Sequence, residues 1–314
     1  MKFAVVFPGQ GSQAVGMLAE LAETSPVVRE TFDAASAVLG YDLWQLAAAG
    51  PEEQLNQTER TQPALLAAGV AIWRVWQQRG GARPDVLAGH SLGEYTALVA
   101  AGSIGFEDAV ALVEFRGQAM QAAVPAGSGA MAAILGLDDD AVREACREAA
   151  GTGDIVTAAN FNAPGQVVVS GHSLAVERAV EAAQARGARR AVVLPVSVPS
   201  HCALMRPAAD QLARRLEDVE IRAPELPVIH NSDVTSKQDA AAIREALIAQ
   251  LHQPVLWADT VRAIHARGAE RLLEFGPGKV LTGLTKRIEK GLPAGAVNDS
   301  VSLDKELEET GADN

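Results

Sequence analysis

Short apolar runs that empty into glycine-bearing turns alternate along this chain with longer stretches whose apolar residues recur at helical spacing. Residues 2–7 form a β-rich run ending at Pro8-Gly9, residues 85–88 a second run ending at Gly89, and residues 271–275 a third ending at Gly276-Pro277-Gly278. Between and around them, 27–39, 63–78 and 106–121 read as helices. Strands alternating with helices predict an α/β fold with a parallel sheet.

The middle of the chain has a different order. Residues 130–137 read as a strand, 139–150 as a helix, 154–160 and 166–170 as strands around Asn162-Ala163-Pro164-Gly165, 174–186 as a helix and 190–196 as a strand. That β-α-β-β-α-β order is the split, ferredoxin-like unit. It predicts a small subdomain at 128–197, inserted into a large subdomain made of 1–127 and 198–314, with hinges at Gly127-Ser128-Gly129 and 195–199. Alternation then resumes with helix 203–216, strand 227–231, helices 243–251 and 258–267, and strand 271–275. Residues 298–314 carry six acids against Lys305 without apolar periodicity, so they read as a solvated acidic tail.

Composition narrows the function. The chain has 314 residues with 48% hydrophobic and 21% charged positions, a globular make-up that excludes disordered and fibrous classes. Lys and Arg number 27 against 39 Asp and Glu, a net charge of −12 that repels nucleic-acid phosphates and anionic membrane surfaces. Cys146 and Cys202 have neither disulfide-framework nor metal-ligand spacing, which suits a reducing cytoplasm and no metal. The apolar run after Lys2 is shorter than the roughly 7–15 residues of a signal-peptide core. The longest apolar stretch, 64–73, is well under the ~18 residues needed to span a bilayer.

Gly89-His90-Ser91-Leu92-Gly93 fits G-x-S-x-G between an apolar strand and an Ala-rich helix, the context of a nucleophile elbow. The glycines allow the tight turn that exposes the hydroxyl, and the helix N-terminus supplies N–H groups for an oxyanion, with Leu92 as one donor. Gly171-His172-Ser173-Leu174 repeats four of the letters, but Ala175 replaces the last glycine and an amphipathic helix follows. Ser173 therefore reads as a helix N-cap.

A serine nucleophile needs a base. His265 lies beside Arg262 and Arg267 on a solvated helix face, His172 belongs to the second serine motif, and His90 adjoins Ser91 and is expected to point away from it. His201, after a proline-containing loop, and His230 both follow predicted strands, and both remain open. The loop Gly9-Gln10-Gly11-Ser12-Gln13-Ala14 formally matches G-x-G-x-x-A, yet Glu30 and Asp33 fall in a helix rather than at the strand end a dinucleotide site requires. The loop better suits a second oxyanion donor, the Gln10 N–H. Arg116 lies three or four residues from Leu112, Val113 and Met120, on an apolar helix face. It reads either as a snorkelling or ion-paired side chain or as a bidentate clamp for a carboxylate.

Together, Gly9-Gln10-Gly11-Ser12-Gln13, Gly89-His90-Ser91-Leu92-Gly93-Glu94, Arg116, Asn162-Ala163-Pro164-Gly165-Gln166, Pro199-Ser200-His201, Gln250 and Gly276-Pro277-Gly278 resemble the malonyl-CoA:acyl carrier protein transacylase family over nearly the whole chain. The resemblance implies an α/β-hydrolase-like large subdomain with a ferredoxin-like small one. It implies Ser91 as nucleophile, His201 as base, the Gln10 and Leu92 amides as oxyanion donors, and Arg116 as partner of the malonyl carboxylate. Gln250 matches the residue whose carbonyl orients the histidine. The implied substrates are malonyl-CoA and a holo acyl carrier protein, with no cofactor, and the chain is expected to act as a monomer. Acyl carrier proteins are acidic, so Lys279, Lys286, Arg287 and Lys290, against the lone Glu289, form a candidate dock. A serine esterase or thioesterase and a non-catalytic acyl-carrier binding module are the competing readings.

Overall fold

A computed structural model describes residues 1–196 and 198–311. Its strands are β1 (Phe3–Phe7), β2 (Val86–Gly89), β3 (Gly129–Leu135), β4 (Val156–Ala163), β5 (Gln166–His172), β6 (Arg190–Val193), β7 (Val228–Ile229), β8 (Arg271–Phe275) and β9 (Ala294–Val297). They form two sheets, a five-stranded one in the order β7-β2-β1-β8-β9 and a four-stranded one in the order β4-β5-β3-β6.

The five-stranded sheet is parallel throughout. All five residues of β1 are buried, as a central strand covered on both faces requires. Phe3, Val5 and Phe7 pack into one core with Leu66, Val70 and Trp76 of the helix Thr58–Gln78. Ala4 and Val6 enter a second core with Trp257, Val261 and Ile264 of the helix Trp257–Ala266. Burial of each large apolar side chain contributes roughly 1.5–3 kcal/mol, so this two-sided covering holds the sheet between its helices. The register pairs Phe7 with Gly89 and Val6 with Glu274, which brings the loops after β1, β2 and β8 together at the carboxyl edge of the sheet. Ligands of open parallel sheets bind at that edge.

The four-stranded sheet is antiparallel and has the strand order of a ferredoxin-like unit. The helices Asp139–Ala149 and Ser173–Ala185 cover one face through Val142, Ala145, Val176 and Ala179. The opposite face presents Met131 and Val168, with Leu194 and Val196, to a cleft against the large sheet.

Several expectations are corrected. The tail is not merely a solvated acidic segment, because Ser300–Gly311 is a helix. Leu303 is buried, and Glu306 accepts two hydrogen bonds from Arg271, at 2.7 and 2.9 Å. Leu303, Glu306, Leu307 and Thr310 share one helix face, so the seam is half polar and escapes a search for apolar periodicity. The helix expected from residue 63 begins at Thr58, with Pro63 inside it. β6 ends at Val193, short of Pro195, which lacks the N–H a ladder needs. Ser197 in the second hinge and Ala312–Asn314 of the tail lie outside the described residues.

Candidate active site

Ser91 sits where β2 turns into the helix Gly93–Ala100, with a backbone φ of 51°. The turn depends on its glycines, since a Cβ on Gly93 would lie 2.0 Å from the carbonyl oxygen of Phe7. A Cβ on Gly89 would come within 1.9 Å of Gly93 itself. The left-handed φ at a serine is strained, and the fold holds it with two hydrogen bonds from Asn231. Asn231 Oδ1 accepts from the Ser91 N–H at 2.7 Å, and its Nδ2 donates to the Gly89 carbonyl at 2.6 Å.

His201 lies in the loop before the helix Arg206–Glu217, also with a positive φ, 61°. Its Nε2 is 2.8 Å from Ser91 Oγ, and its Nδ1 is 2.7 Å from the Gln250 carbonyl oxygen. Only an N–H can donate to that carbonyl, so Nδ1 carries the proton and the Nε2 lone pair faces the serine. Burial, then the Arg116 cation and His90, push His201 down to about 3 against the pull of the Gln250 carbonyl. The imidazole is therefore neutral at neutral pH and free to accept a proton. His230, the other open candidate, is buried behind the elbow, with its Nδ1 2.8 Å from Glu94 Oε1. The choice between the two histidines is thus resolved by distance to Ser91.

Arg116 is 1% exposed and reaches the same hydroxyl. Its Nη2 donates to Ser91 Oγ at 3.3 Å and to Gln250 Oε1 at 3.0 Å, and its Nη1 donates to Gln62 Oε1 at 2.7 Å. It is not snorkelling, and among the described residues it forms no carboxylate ion pair. The Tyr95 ring lies 5.4 Å from the guanidinium carbon, and the Glu94 carboxylate reaches Arg116 only through Gln250, so among the described residues no carboxylate pairs with the cation directly and it can take an anionic group from the cavity. The cavity is about 220 Å³ and is also lined by Gln10 and Leu92. Among the described residues the backbone N–H of neither Gln10 nor Leu92 has an acceptor in the chain. Ser91, His201, Arg116, Gln10 and Leu92 therefore line one cleft, and Gln250 is buried behind it, bonded to His201, Arg116 and the Ser91 carbonyl.

Residues 4–301 match the acyl transferase domain family. The malonyl CoA-acyl carrier protein transacylase of Salmonella typhimurium is 60% identical over 306 residues, covering 98% of this chain and 99% of that protein. The protein of the same name from Escherichia coli K12 is 59% identical over 307 residues with the same coverage. This chain belongs to that family. Among solved structures, an acyl carrier protein S-malonyltransferase from Vibrio cholerae is 63% identical and superposes with a TM-score of 0.95 over 97% of this chain and 99% of that one. A malonyl-transacylase solved in complex with its type II PKS acyl-carrier protein is 60% identical, with a TM-score of 0.97 over 98% of this chain and 100% of that one.

Three placements depart from the sequence reading. His90 does not point away: it lines the same cavity, its Nε2 2.8 Å from Asn162 Oδ1, and burial lowers its basicity. Ser173 is not an N-cap, since that position belongs to His172; it is the first helical residue, and its hydroxyl donates to the Gly127 carbonyl at 2.7 Å. In the basic run, Lys279, Lys286, Arg287 and Lys290 are all exposed, but Arg287 is engaged by Gln166 and by the Pro164 carbonyl of the small sheet's β4-β5 turn.

The sequence reading gave no role to Gln62 or Asn231, named Glu94 only within the family motif, and set His230 only as a rival base. A signal existed for two of them. Glu94 is the lone acid in the otherwise apolar or small helix Gly93–Ala100, and Asn231 stands at the carboxyl end of a strand in a parallel sheet.

Proposed function

We propose that this protein transfers the malonyl group of malonyl-CoA to the phosphopantetheine thiol of a holo acyl carrier protein through a malonyl ester of Ser91, supplying fatty acid chain elongation. The observation that carries the reading is a serine hydroxyl 2.8 Å from a neutral imidazole and 3.3 Å from a buried guanidinium that forms no carboxylate salt bridge among the described residues. The named relatives at about 60% identity act on the same substrates by their names.

Ser91 Oγ attacks the thioester carbonyl carbon while His201 Nε2 takes its proton. The C=O electron pair moves onto oxygen, where the Gln10 and Leu92 N–H groups donate to it. The intermediate collapses, the C–S bond breaks, and CoA leaves as a thiol with the proton from His201. The carrier-protein thiol then repeats these steps on the ester and restores Ser91. Arg116 pairs with the distal carboxylate. The Gln250 carbonyl orients His201 in place of a triad acid, which suffices because a thiolate is a good leaving group. None of these steps calls on a metal or cofactor.

The site is complete within one chain, so the reading is of a monomer. Free, buried Cys146 and Cys202 suit a reducing compartment, and the proposed place of action is the cytoplasm. No helix among the described residues is long and apolar enough to cross a membrane. The proposed carrier-protein dock is Lys279, Lys286 and Lys290 with Arg287 at the seam between the sheets.

The test is turnover of malonyl-CoA with and without holo acyl carrier protein. Malonyl transfer that requires the carrier protein is expected. Equal release of free malonate without it would make the protein an esterase. Lys286→Glu with Arg287→Glu should weaken carrier-protein affinity about tenfold at low salt and less at high salt. An unchanged affinity would remove the dock.

A further inference from the structure

The mechanism above uses the Gln250 carbonyl, but the Gln250 side chain is equally constrained. Its Oε1 accepts from Arg116 Nη2 at 3.0 Å. Its Nε2 donates to the Ser91 carbonyl and to Glu94 Oε2, both at 2.9 Å. Gln250 and Glu94 are completely buried, so water cannot replace these bonds.

Glu94 is the hub of the arrangement. Oε2 also accepts from the Asn231 N–H at 2.9 Å, and Oε1 faces His230 Nδ1 at 2.8 Å. Asn231 in turn holds the elbow through Ser91 N–H and the Gly89 carbonyl. An ionised carboxylate can only accept hydrogen bonds, so it dictates which end of the Gln250 amide faces it. With Nε2 held toward Glu94, Oε1 must face Arg116, and the guanidinium is aimed beside Ser91. A flipped amide would set NH2 against Arg116, donor against donor.

We propose that Glu94 is a positioning residue for malonyl selectivity, acting through the Gln250 amide to hold Arg116 at the carboxylate end of the acyl site. The inference rests on the proposed malonyl transfer. It makes the reach of Glu94, rather than its charge, the quantity that matters. Glutamine at 94 keeps that reach: its Oε1 can accept from Asn231 N–H and Gln250 Nε2, while its NH2 faces His230. His230 must then carry its proton on Nε2, a buried atom with no acceptor among the described residues, so Glu94→Gln is expected to lower stability, which a denaturant curve reads separately from selectivity. Aspartate keeps the charge and is one methylene short of serving Gln250, Asn231 and His230 together.

The test is Ser91 acylation by malonyl-CoA and by acetyl-CoA, read as the ratio of the two kcat/KM values in wild type, Glu94→Gln and Glu94→Asp. Glu94→Asp is expected to lower the malonyl-to-acetyl ratio about tenfold, the scale of a misplaced positioning group. Glu94→Gln is expected to lower it no more than about threefold, which is below one kcal/mol. A merely structural role would lower both substrates in parallel and leave the ratio unmoved, and that result overturns the proposal. So does the reverse pattern, with Glu94→Gln losing selectivity and Glu94→Asp keeping it. Wild type separates the two readings: if it takes no malonyl group, malonyl transfer itself fails and this inference with it, whereas malonyl-selective wild type with unaltered variants sinks the inference alone.

Discussion

Two segments of this chain share the letters Gly-His-Ser-Leu, and they do different work. Residues 89–92 close β2, the parallel strand beside the central β1 of the large sheet, whereas 171–174 close an antiparallel strand of the small one. At the first, Ser91 is lifted into a left-handed turn and meets His201 and Arg116. At the second, the serine enters a helix and its hydroxyl is spent on the Gly127 carbonyl. Their glycines differ too. Gly89 and Gly93 let the elbow fold against Phe7, while Gly171 makes room for the Ile155 carbonyl just ahead of β4, 2.0 Å from where a Cβ would stand. A motif becomes a site when the strand before it ends at the carboxyl edge of a parallel sheet, beside other such ends.

The largest expected effect breaks the equivalence of the two serines outright. Ser91→Ala should lower malonyl transfer by about 10⁴-fold or more, the loss seen when a nucleophile working with a base is removed. Ser173→Ala should leave the rate within about twofold and cost roughly 0.5–1.5 kcal/mol, the worth of one hydrogen bond. Steady-state transfer and a denaturant curve measure both.

Arg116→Ala comes next, because the arginine contact is something only Ser91 has. Malonyl transfer should fall about 10²–10³-fold, the cost of truncating one partner of a buried charge pair. Acetyl transfer should gain relative to malonyl, and competition between the two CoA esters reads this directly.

The fifth position of each motif sharpens the contrast. Gly93→Ala drives a methyl group into Phe7 O and should cost about 1–3 kcal/mol of stability. It should also slow acylation by about 10²-fold through displacement of Ser91. Ala175→Gly should cost about 1 kcal/mol as a helix substitution and leave the rate unchanged.

The most gradual effect is in pH. His201 is held at about 3, below the ordinary imidazole value of 6.5. As pH falls below 6.5 the unfolded chain takes up this proton first, so the stability that comes from burying a neutral His201 is lost between 6.5 and about 3. The slope from this one group is on the order of 1 kcal/mol per pH unit, and His201→Gln should remove it from the acid limb of the stability curve.

Much of this was legible in the sequence. The central strands, the β-α-β-β-α-β insertion and the elbow announce themselves because each couples a periodicity to a turn residue that its geometry requires. What stayed hidden is polar and buried. Gln62 sits in a helix where a single polar residue looks like a solvent-facing position, and Glu94, though the lone acid of its helix, has partners distant in sequence, 136 residues in the Glu94–His230 pair. Asn231 ends the strand expected at 227–231, two residues beyond β7, but nothing in the sequence ties its side chain to Ser91 and Gly89, about 140 residues earlier. The tail helix failed for a related reason, since a Glu306–Arg271 pair occupies part of the face where apolar residues are sought.

The central claim is that Ser91, and not its twin, carries the acyl group. Intact-protein mass spectrometry after brief exposure to malonyl-CoA tests it most directly. Wild type and Ser173→Ala should each gain about 86 Da, the mass of a malonyl ester in nucleophilic catalysis, and lose it to holo acyl carrier protein, while Ser91→Ala gains nothing. An adduct that survives in Ser91→Ala, or one that disappears in Ser173→Ala, would contradict the account.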